Sequence, residues 1–306
     1  MRDDYWNFAR CLYAAGIRQG DLIHNTFSYH FTPAGQMVES AARAIGCPVF
    51  PGGIAQTELQ VQVMAQLKPR AYCGTPSFLK IILDKAVDMG IRIEGLEVGL
   101  VGGEALPGSL RDELSERGVE VLQSYGTADL GLIAYESTAR EGMILTEEVI
   151  VEIVAPGTGE PVADGEIGEI VVTTLSPEYP LIRFATGDLS ALMPGMSPCG
   201  RTNRRIRGWM GRADQTAKIR GMFVYPSQVA AVVARHDELV RARVVIDRVD
   251  NADVMVFRCE TAERSDALVL AIAESVREVC KLLSLIHISA PTSPRLISYA
   301  VFCLKK

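Results

Sequence analysis

The sequence lacks what several functional classes require. It has no stretch of about 18 apolar residues free of charge, so no membrane-spanning helix is expected. The opening residues, MRDDYWNFAR, hold two acids and no long apolar run, which is not the pattern of a secretory signal. Basic residues are not in excess: 31 Lys and Arg stand against 37 Asp and Glu, a net charge of −6. That leaves no overall basic footprint for nucleic acid, and any anionic ligand must be held by local donors. The short basic cluster Arg201-Thr-Asn-Arg204-Arg205-Ile-Arg207 has no interleaved aromatics and reads as a solvated loop. The 7 cysteines are odd in number and scattered at 11, 47, 73, 199, 259, 280 and 303. That fits reduced thiols in a cytoplasmic enzyme better than a disulfide framework. Histidine is scarce, at 4 residues, and neither His24 nor His30 has a Cys or Asp partner at metal spacing. Disorder is excluded from the other side, because 48% of the residues are hydrophobic.

What is present is a chain of 306 residues, room for about two domains. Short apolar runs alternate with amphipathic stretches over the first 125 residues. Strands are expected at 21–29, 47–50, 70–74, 96–101 and 119–124. Helices are expected at 34–45, 57–67, 76–89 and 107–116, the last two with Pro at the first position. This alternation predicts an α/β fold, a parallel sheet flanked by helices, over 1–138. Strand-like runs at 149–154, 168–174 and 181–184 between Gly/Pro turns predict a small antiparallel β meander or barrel over 139–213. A helix at 226–235, strands at 242–249 and 254–259, and a long helix at 265–282 predict a small α+β C-terminal subdomain over 214–282. Residues 283–306, with Pro291 and Pro294, continue no period from what precedes them and read as a non-native tail.

Four motifs carry candidate chemistry, each with an ordinary structural alternative. Gly102-Gly103-Glu104-Ala105 follows an apolar strand, where a Gly pair lets backbone approach a ligand; a tight strand–helix turn explains it equally. Gln123-Ser124-Tyr125-Gly126-Thr127-Ala128-Asp129 offers a flat face for a base, a hydroxyl for a phosphate and a carboxylate for Mg2+. Its alternative is a helix N-terminus capped by Thr127. Thr186-Gly187-Asp188 has a carboxylate able to accept hydrogen bonds from a ribose diol, or is an Asx turn. The stretch 211–221, dense in charge and bracketed by Gly, reads as a hinge with a ligand-facing Arg or as a polar linker.

Taken in order, GGEAL, YGTAD, PLIRFATGD, CGRT and GRADQTAKIRGMFVYPSQV resemble the motifs of adenylate-forming enzymes. In detail, PLIRFATGDLSALMPG, CGRTNRRI and RGMFVYPSQV resemble the phenylacetate–coenzyme A ligase family, over about residues 21–282. The resemblance implies ATP, Mg2+ and coenzyme A as ligands and a small carboxylic acid as substrate, with no nucleic acid or membrane partner. It leaves a homodimer open. It implies that Gly103, Glu104 and Ala105 run along the adenine and acid. Tyr125 and Gly126 would lie on the adenine, Thr127 and Ala128 near the α-phosphate, and Asp129 at Mg2+. Asp188 would take the ribose with Arg212 assisting, and Asp214 would be a hinge that brings Lys218 and Gly221 to the site. Phe27, Tyr29 and His30 would line the acid pocket.

Departures from the family pattern set further expectations. The Gly-rich phosphate loop with its Lys and the Lys near the family's C-terminus have no counterpart in these 306 residues. The chain is therefore expected to be an impaired fragment. Ala128 stands where relatives often have a hydroxyl. A zinc site is not expected, because Ser197, Ser137 and Ile144 stand where ligands would be, leaving Cys199. Two other readings remain at this level: a nucleotide-binding protein without catalysis, and an adenylating enzyme that loads a carrier-protein thiol.

Overall fold

The computed structural model describes residues 4–215, 217–219, 222–249, 252–261, 265–281, 285–289 and 304–305. The chain opens with α1 (Ala9–Ala14), β1 (Ile23–Asn25), α2 (Ala34–Ala44), β2 (Val49–Pro51), α3 (Thr57–Leu67) and β3 (Ala71–Gly74). Next come α4 (Pro76–Asp88), β4 (Val98–Val101), α5 (Gly108–Glu116) and β5 (Glu120–Thr127). Thr75 shows why α4 starts where it does. Its backbone is extended, its hydroxyl accepts from the Phe78 N–H, and Pro76 fills the first helical position. At α5 the proline sits one place earlier than expected. Pro107 stays extended, with ψ 147°, and the helix begins at Gly108.

Strands β2, β1, β3, β4 and β5 lie in that order and run parallel. Successive side chains face opposite ways. Ile23, Ala71, Cys73, Leu100 and Leu122 form one apolar layer with Leu12 of α1 and Met37, Val38 and Ala41 of α2. Tyr72, Val101 and Val121 form another with Val61 and Met64 of α3, Leu79 and Ile82 of α4, and Leu114 of α5. Each such Leu, Ile or Val contributes about 1.5–3 kcal/mol by leaving water. The expected parallel sheet flanked by helices is present.

The strand expected over 21–29 ends at Asn25, where a last backbone bond to β3 gives way to side-chain bonds. Thr26 N donates to Cys73 O (2.7 Å), and Thr26 Oγ1 donates to Tyr72 Oη (2.7 Å). Asn25 Nδ2 donates to Tyr29 Oη (2.8 Å) and Gly35 O (3.0 Å), while its Oδ1 accepts from Phe27 N. These bonds turn residues 26–33 into a loop.

Nor does the sheet stop at residue 138. β5 turns through Ala128–Leu130 into β6 (Gly131–Glu136), which pairs with β7 (Met143–Leu145). After β8 (Val149–Val154), β9 (Gly168–Thr174) and β10 (Phe184–Ser190), the chain returns as β11 (Leu192–Met193) and β12 (Arg205–Ile206). These pair beyond β7, and the sheet reaches 9 strands in the order β11-β12-β7-β6-β5-β4-β3-β1-β2. β6 escapes sequence reading because GLIAYE is buried at every position and shows no alternation. The small sheet β10-β9-β8 stands apart, with β8 and β9 antiparallel. β10 starts at Phe184 and runs through Thr186-Gly187-Asp188, so those residues lie in a strand and not in an Asx turn.

The chain divides into two compact units, one of residues 1–186 and 190–209, the other of residues 187–189 and 210–306. Most of the stretch 139–213, expected as a β-rich meander of the large domain, lies in the first unit, and β7, β11 and β12 extend the large sheet beyond residue 138. Within the second unit lie a 3-10 turn (Ala213–Gln215), β13 (Ala217–Ile219), β14 (Met222–Val224) and α6 (Pro226–Val233). They are followed by β15 (Leu239–Val249), β16 (Ala252–Thr261), α7 (Asp266–Cys280), β17 (Leu285–Ser289) and β18 (Leu304–Lys305). Val229, Val232, Leu239, Val244, Phe257, Ile272 and Val276 make its core. β17 corrects the reading of residues 283–306 as patternless: it runs parallel to β16, and Ile286 and Ile288, two apart, pack on that core. Among the described residues no helix is long and apolar enough to cross a membrane.

Candidate active site

The carboxyl ends of β1, β3, β4 and β5 lie side by side, at the edge where parallel sheets bind ligands. Glycines set how closely they approach. A Cβ on Gly74 would stand 2.0 Å from Thr26 Oγ1 and 2.3 Å from Tyr72 Oη. A Cβ on Gly102 would stand 2.9 Å from both the carbonyl and the hydroxyl oxygen of Ser124. Gly103 is left-handed, φ 76°, and its Cβ position is 3.8 Å from Thr75 Cγ2 and 3.9 Å from Phe27 Cε1. The 102–105 turn therefore meets the end of β5 on one side and Phe27 on the other. Glu104 and Ala105 are exposed on it. Burial above all, with the charges of Cys73 and Glu104 adding, keeps the Tyr72 phenol protonated.

Tyr125, Gly126 and Thr127 continue β5, with Tyr125 opposite Ala134 and a register irregularity between Tyr125 and Gly126. No helix starts here: Thr127 Oγ1 accepts from Leu130 N (3.1 Å) and closes a hairpin turn. Tyr125 packs, half-buried, on the cluster that includes Ala134, Leu145 and Ile170. Ala128 and Asp129 are exposed at the hairpin tip. Asp129 lines a cavity of about 520 Å3 with Tyr5, Trp6, Glu148, Glu178 and Tyr179. Gly131 admits Trp6 there, since Leu132 N donates to Trp6 O (3.0 Å) and a Cβ on Gly131 would stand 2.8 Å from that oxygen. No motif singles out Tyr5, Trp6 or Tyr179; the Ser176-Pro turn is the nearest signal.

Carboxylate oxygens suit a hard divalent cation. Among the described residues no group of three or more His, Cys, Asp or Glu side chains is placed to hold a metal. Asp129, exposed at the hairpin tip, has the chemistry to supply one such oxygen ligand. Ser197, Ser137 and Cys199 do come together in hydrogen-bond contact, whereas Ile144 lies in the core beside α1 and α2.

A buried ion pair anchors the base of β5. Arg111 Nη2 donates to both Glu136 oxygens (2.8 and 2.9 Å) and Nη1 donates to Val121 O (2.9 Å). Glu136 Oε2 also accepts from Gln123 N (2.8 Å), one residue before Ser124. Nothing in the sequence spacing singles out this pair.

The expected acid-pocket residues separate. Phe27 faces Gly103, as above. Tyr29 instead turns to α2: its hydroxyl accepts from Asn25 and donates to Glu39 Oε1 (3.2 Å), and its ring lies 2.7 Å from a would-be Cβ on Gly35. Burial and then the Glu39 charge push its phenol pKa up. His30 is exposed, its ring edge-on to Phe31 at 4.2 Å.

In the second unit, Asp188, Arg212 and Asp214 form one charged cluster. Asp188 and Arg212 face each other in a backbone bridge, Arg212 Nη1 lies 3.1 Å from Asp188 Oδ1, and Arg212 Nε lies 3.5 Å from Asp214 Oδ1. Gly187 makes room for the guanidinium, since its Cβ would stand 2.5 Å from Arg212 Nη2. Lys218 lies in β13, opposite Phe223 in register. Gly221 lies outside the described residues.

Residues 7–176 match the family of AMP-binding enzymes. The chain belongs to this family, in its phenylacetate–coenzyme A ligase branch. It is 30% identical over 301 residues to the phenylacetate–coenzyme A ligase of Aromatoleum evansii, covering 92% of this chain and 68% of that protein. The Thermus thermophilus ligase of the same name is 33% identical, covering 83% of this chain and 59% of the relative. For that of Escherichia coli the values are 33%, 84% and 60%. The chain thus spans about three-fifths to two-thirds of the length of these relatives. Among solved structures it is similar to an open conformation of 2-hydroxyisobutyryl-CoA ligase bound to 2-HIB-AMP and CoA, with TM-score 0.84 and 25% identity. That match covers 97% of this chain and 69% of the ligase.

Proposed function

We propose that the protein carrying this chain is an AMP-forming acyl-CoA ligase for an aromatic or arylacetic acid. The observation that carries this reading is the meeting of Gly102 with Ser124 and of Gly103 with Phe27 at adjoining strand ends. It is supported by the relatives named phenylacetate–coenzyme A ligase. In the first half-reaction the acid's carboxylate attacks the α-phosphorus of ATP and pyrophosphate leaves. In the second, the thiol of coenzyme A attacks the acyl carbon and AMP leaves. The chain's task is to fix the reactants, spread the charge at phosphorus and keep water from a mixed anhydride.

Each residue then has a role. Tyr125 and Gly126 present a flat face to adenine, and Gly103, Glu104 and Ala105 run along the adenylate with no side chain at Gly103 to block it. Thr127 and Ala128 lie by the α-phosphate. Mg2+, when bound, neutralises phosphate charge, and Asp129 is the carboxylate assigned to it. Asp188 takes the ribose hydroxyls, oriented by Arg212. Asp214 serves as the hinge, and Lys218 and Gly221 act in thioester formation. Phe27 contacts the acid. Free thiols at Cys11, Cys47, Cys73, Cys199, Cys259 and Cys280 are in keeping with a cytoplasmic setting.

A carrier-protein thiol is the second acceptor to test, because the chain is also 30% identical over 177 residues to a dimodular nonribosomal peptide synthase of Bacillus subtilis. Calorimetry with AMP and with a non-hydrolysable phenylacetyl-adenylate analogue tests the site. The expected result is saturable binding of both, weakened at least tenfold by Tyr125→Ala. Absence of binding to either ligand overturns the reading. Thioester formation from phenylacetate, ATP and CoA then decides the acceptor against a carrier protein.

A further inference from the structure

One buried hydroxyl ties together the two elements that border the space beside Gly103. Tyr72 of β3 is fully buried, and its ring packs among apolar residues of α3, α4 and α5. A phenylalanine would fill that layer equally well, and a buried hydroxyl costs stability unless its bonds are made. Here they are made, and both are directional. Tyr72 Oη accepts from Thr26 Oγ1 (2.7 Å) and donates to Thr75 O (3.0 Å). Thr26 immediately precedes Phe27, and Thr75 caps α4. Phe27 Cε1 and Thr75 Cγ2 are the two atoms that a Cβ on Gly103 would meet.

Each end of this link is itself fixed. Thr26 N donates to Cys73 O, and Phe27 N donates to Asn25 Oδ1 (3.2 Å). Thr75 O also accepts from Leu79 N (3.2 Å) in the first turn of α4. Thr75 Oγ1 accepts from Phe78 N (3.4 Å), which turns the hydroxyl into the helix and leaves Cγ2 on the Gly103 side. Gly102 N donates to Gly74 O (3.1 Å), so the Gly-Gly turn joins the same assembly. Tyr125 and Gly126, assigned to adenine, are held instead by pairing with β6.

We propose that Tyr72 is a positioning residue for the acid: through Thr26 and Thr75 it fixes the distance between Phe27 and the start of α4, and so the width of the space that takes the acyl group. This rests on the ligase reading above and adds which part of the ligand the residue governs, the acyl group and not the nucleotide. Burial holds the phenol pKa well above its ordinary value, so the proton donated to Thr75 O is retained.

The test is Tyr72→Phe, which deletes the hydroxyl and keeps the ring. Calorimetry on the intact chain gives the affinities of AMP and of a non-hydrolysable phenylacetyl-adenylate analogue. Wild type is expected to hold the analogue more tightly than AMP. In Tyr72→Phe, AMP affinity should stay within about twofold, and the analogue's advantage over AMP should fall at least about threefold. Thr26→Val removes the donor to the same hydroxyl and should lower that advantage too. If Tyr72→Phe shows no cooperative unfolding in urea, the same readout on Thr26→Val decides. A smaller change in the advantage overturns the proposal. So does an equal loss of affinity for both ligands, which is what a merely structural role produces. Wild type that binds neither ligand instead overturns the ligase reading itself.

Discussion

The Phe27 ring edge lies 3.9 Å from the point where a Cβ on Gly103 would stand, with Thr75 Cγ2 3.8 Å from that point. The first strand's loop and the Gly-Gly turn thus border a space that a methyl at Gly103 would occupy at ordinary contact distance.

Gly103→Ala is expected to fold and to bind poorly. The left-handed backbone costs an alanine about 1–2 kcal/mol, and the new methyl meets neighbours only at ordinary contact distance. It does fill the gap beside Phe27. Affinity for a phenylacetyl-adenylate analogue should fall at least tenfold by calorimetry. Gly74→Ala should behave oppositely. Its Cβ overlaps the buried Thr26 and Tyr72 hydroxyls, so a stability loss of about 1–3 kcal/mol should dominate in urea unfolding.

Asp188→Ala separates binding from stability. The Asp188–Arg212 pair is partly exposed on the arginine side, so its loss should change unfolding free energy by no more than about 1 kcal/mol. AMP affinity should nonetheless fall at least tenfold. Unchanged AMP affinity would remove Asp188 from the site.

Arg111→Ala strands the Glu136 carboxylate in the base of β5. Breaking one partner of a buried pair costs about 3–5 kcal/mol, and unfolding in urea should show a loss of that order. Glu136→Gln keeps an oxygen for the Gln123 N–H and should cost less.

His24 predicts a pH dependence. Gln60 Nε2 donates to the Gly52, Gly53 and Ala55 carbonyls, which leaves its Oε1 to accept from His24 Nε2 at 2.6 Å. The neutral ring therefore carries its proton on Nε2, and buried Nδ1 has no partner among the described residues. Burial lowers the His24 pKa below its ordinary value, against the Gln60 bond that raises it. The unfolded chain therefore takes up a proton near pH 6.5 that the folded chain refuses. This contribution is complete above pH 6.5 and is lost as pH falls below it. His24→Gln should flatten the stability profile between pH 7.5 and 5, measured by denaturant unfolding.

Much of the fold was legible because the elements announce themselves locally. Thr57–Leu67 and Gly168–Thr174 fall where the pattern placed them. β6 did not, because a strand buried on both faces has no alternation to read. The Tyr125 hairpin was missed for a related reason: a Thr before a turn and a Thr before a helix look alike until Leu130 N shows which it serves. At the candidate site the motifs were legible and their partners were not. Gly103 stood out in the sequence, but its neighbour Phe27 is 76 positions away, and only the sheet order brings them together. Tyr29 looked like Phe27 in sequence and was diverted by Asn25 and Glu39.

The return of residues 192–206 to the outer side of β7 bears on synthesis. A ribosome that has made β1 to β10 has not yet supplied the strands that cover β7, and that edge stays unpaired meanwhile. Such long-range closure is slow, and nascent chains with open edges associate with one another. Chains stalled before residue 192 should thus be more prone to aggregate than those released after 206, whatever ligand the finished protein binds.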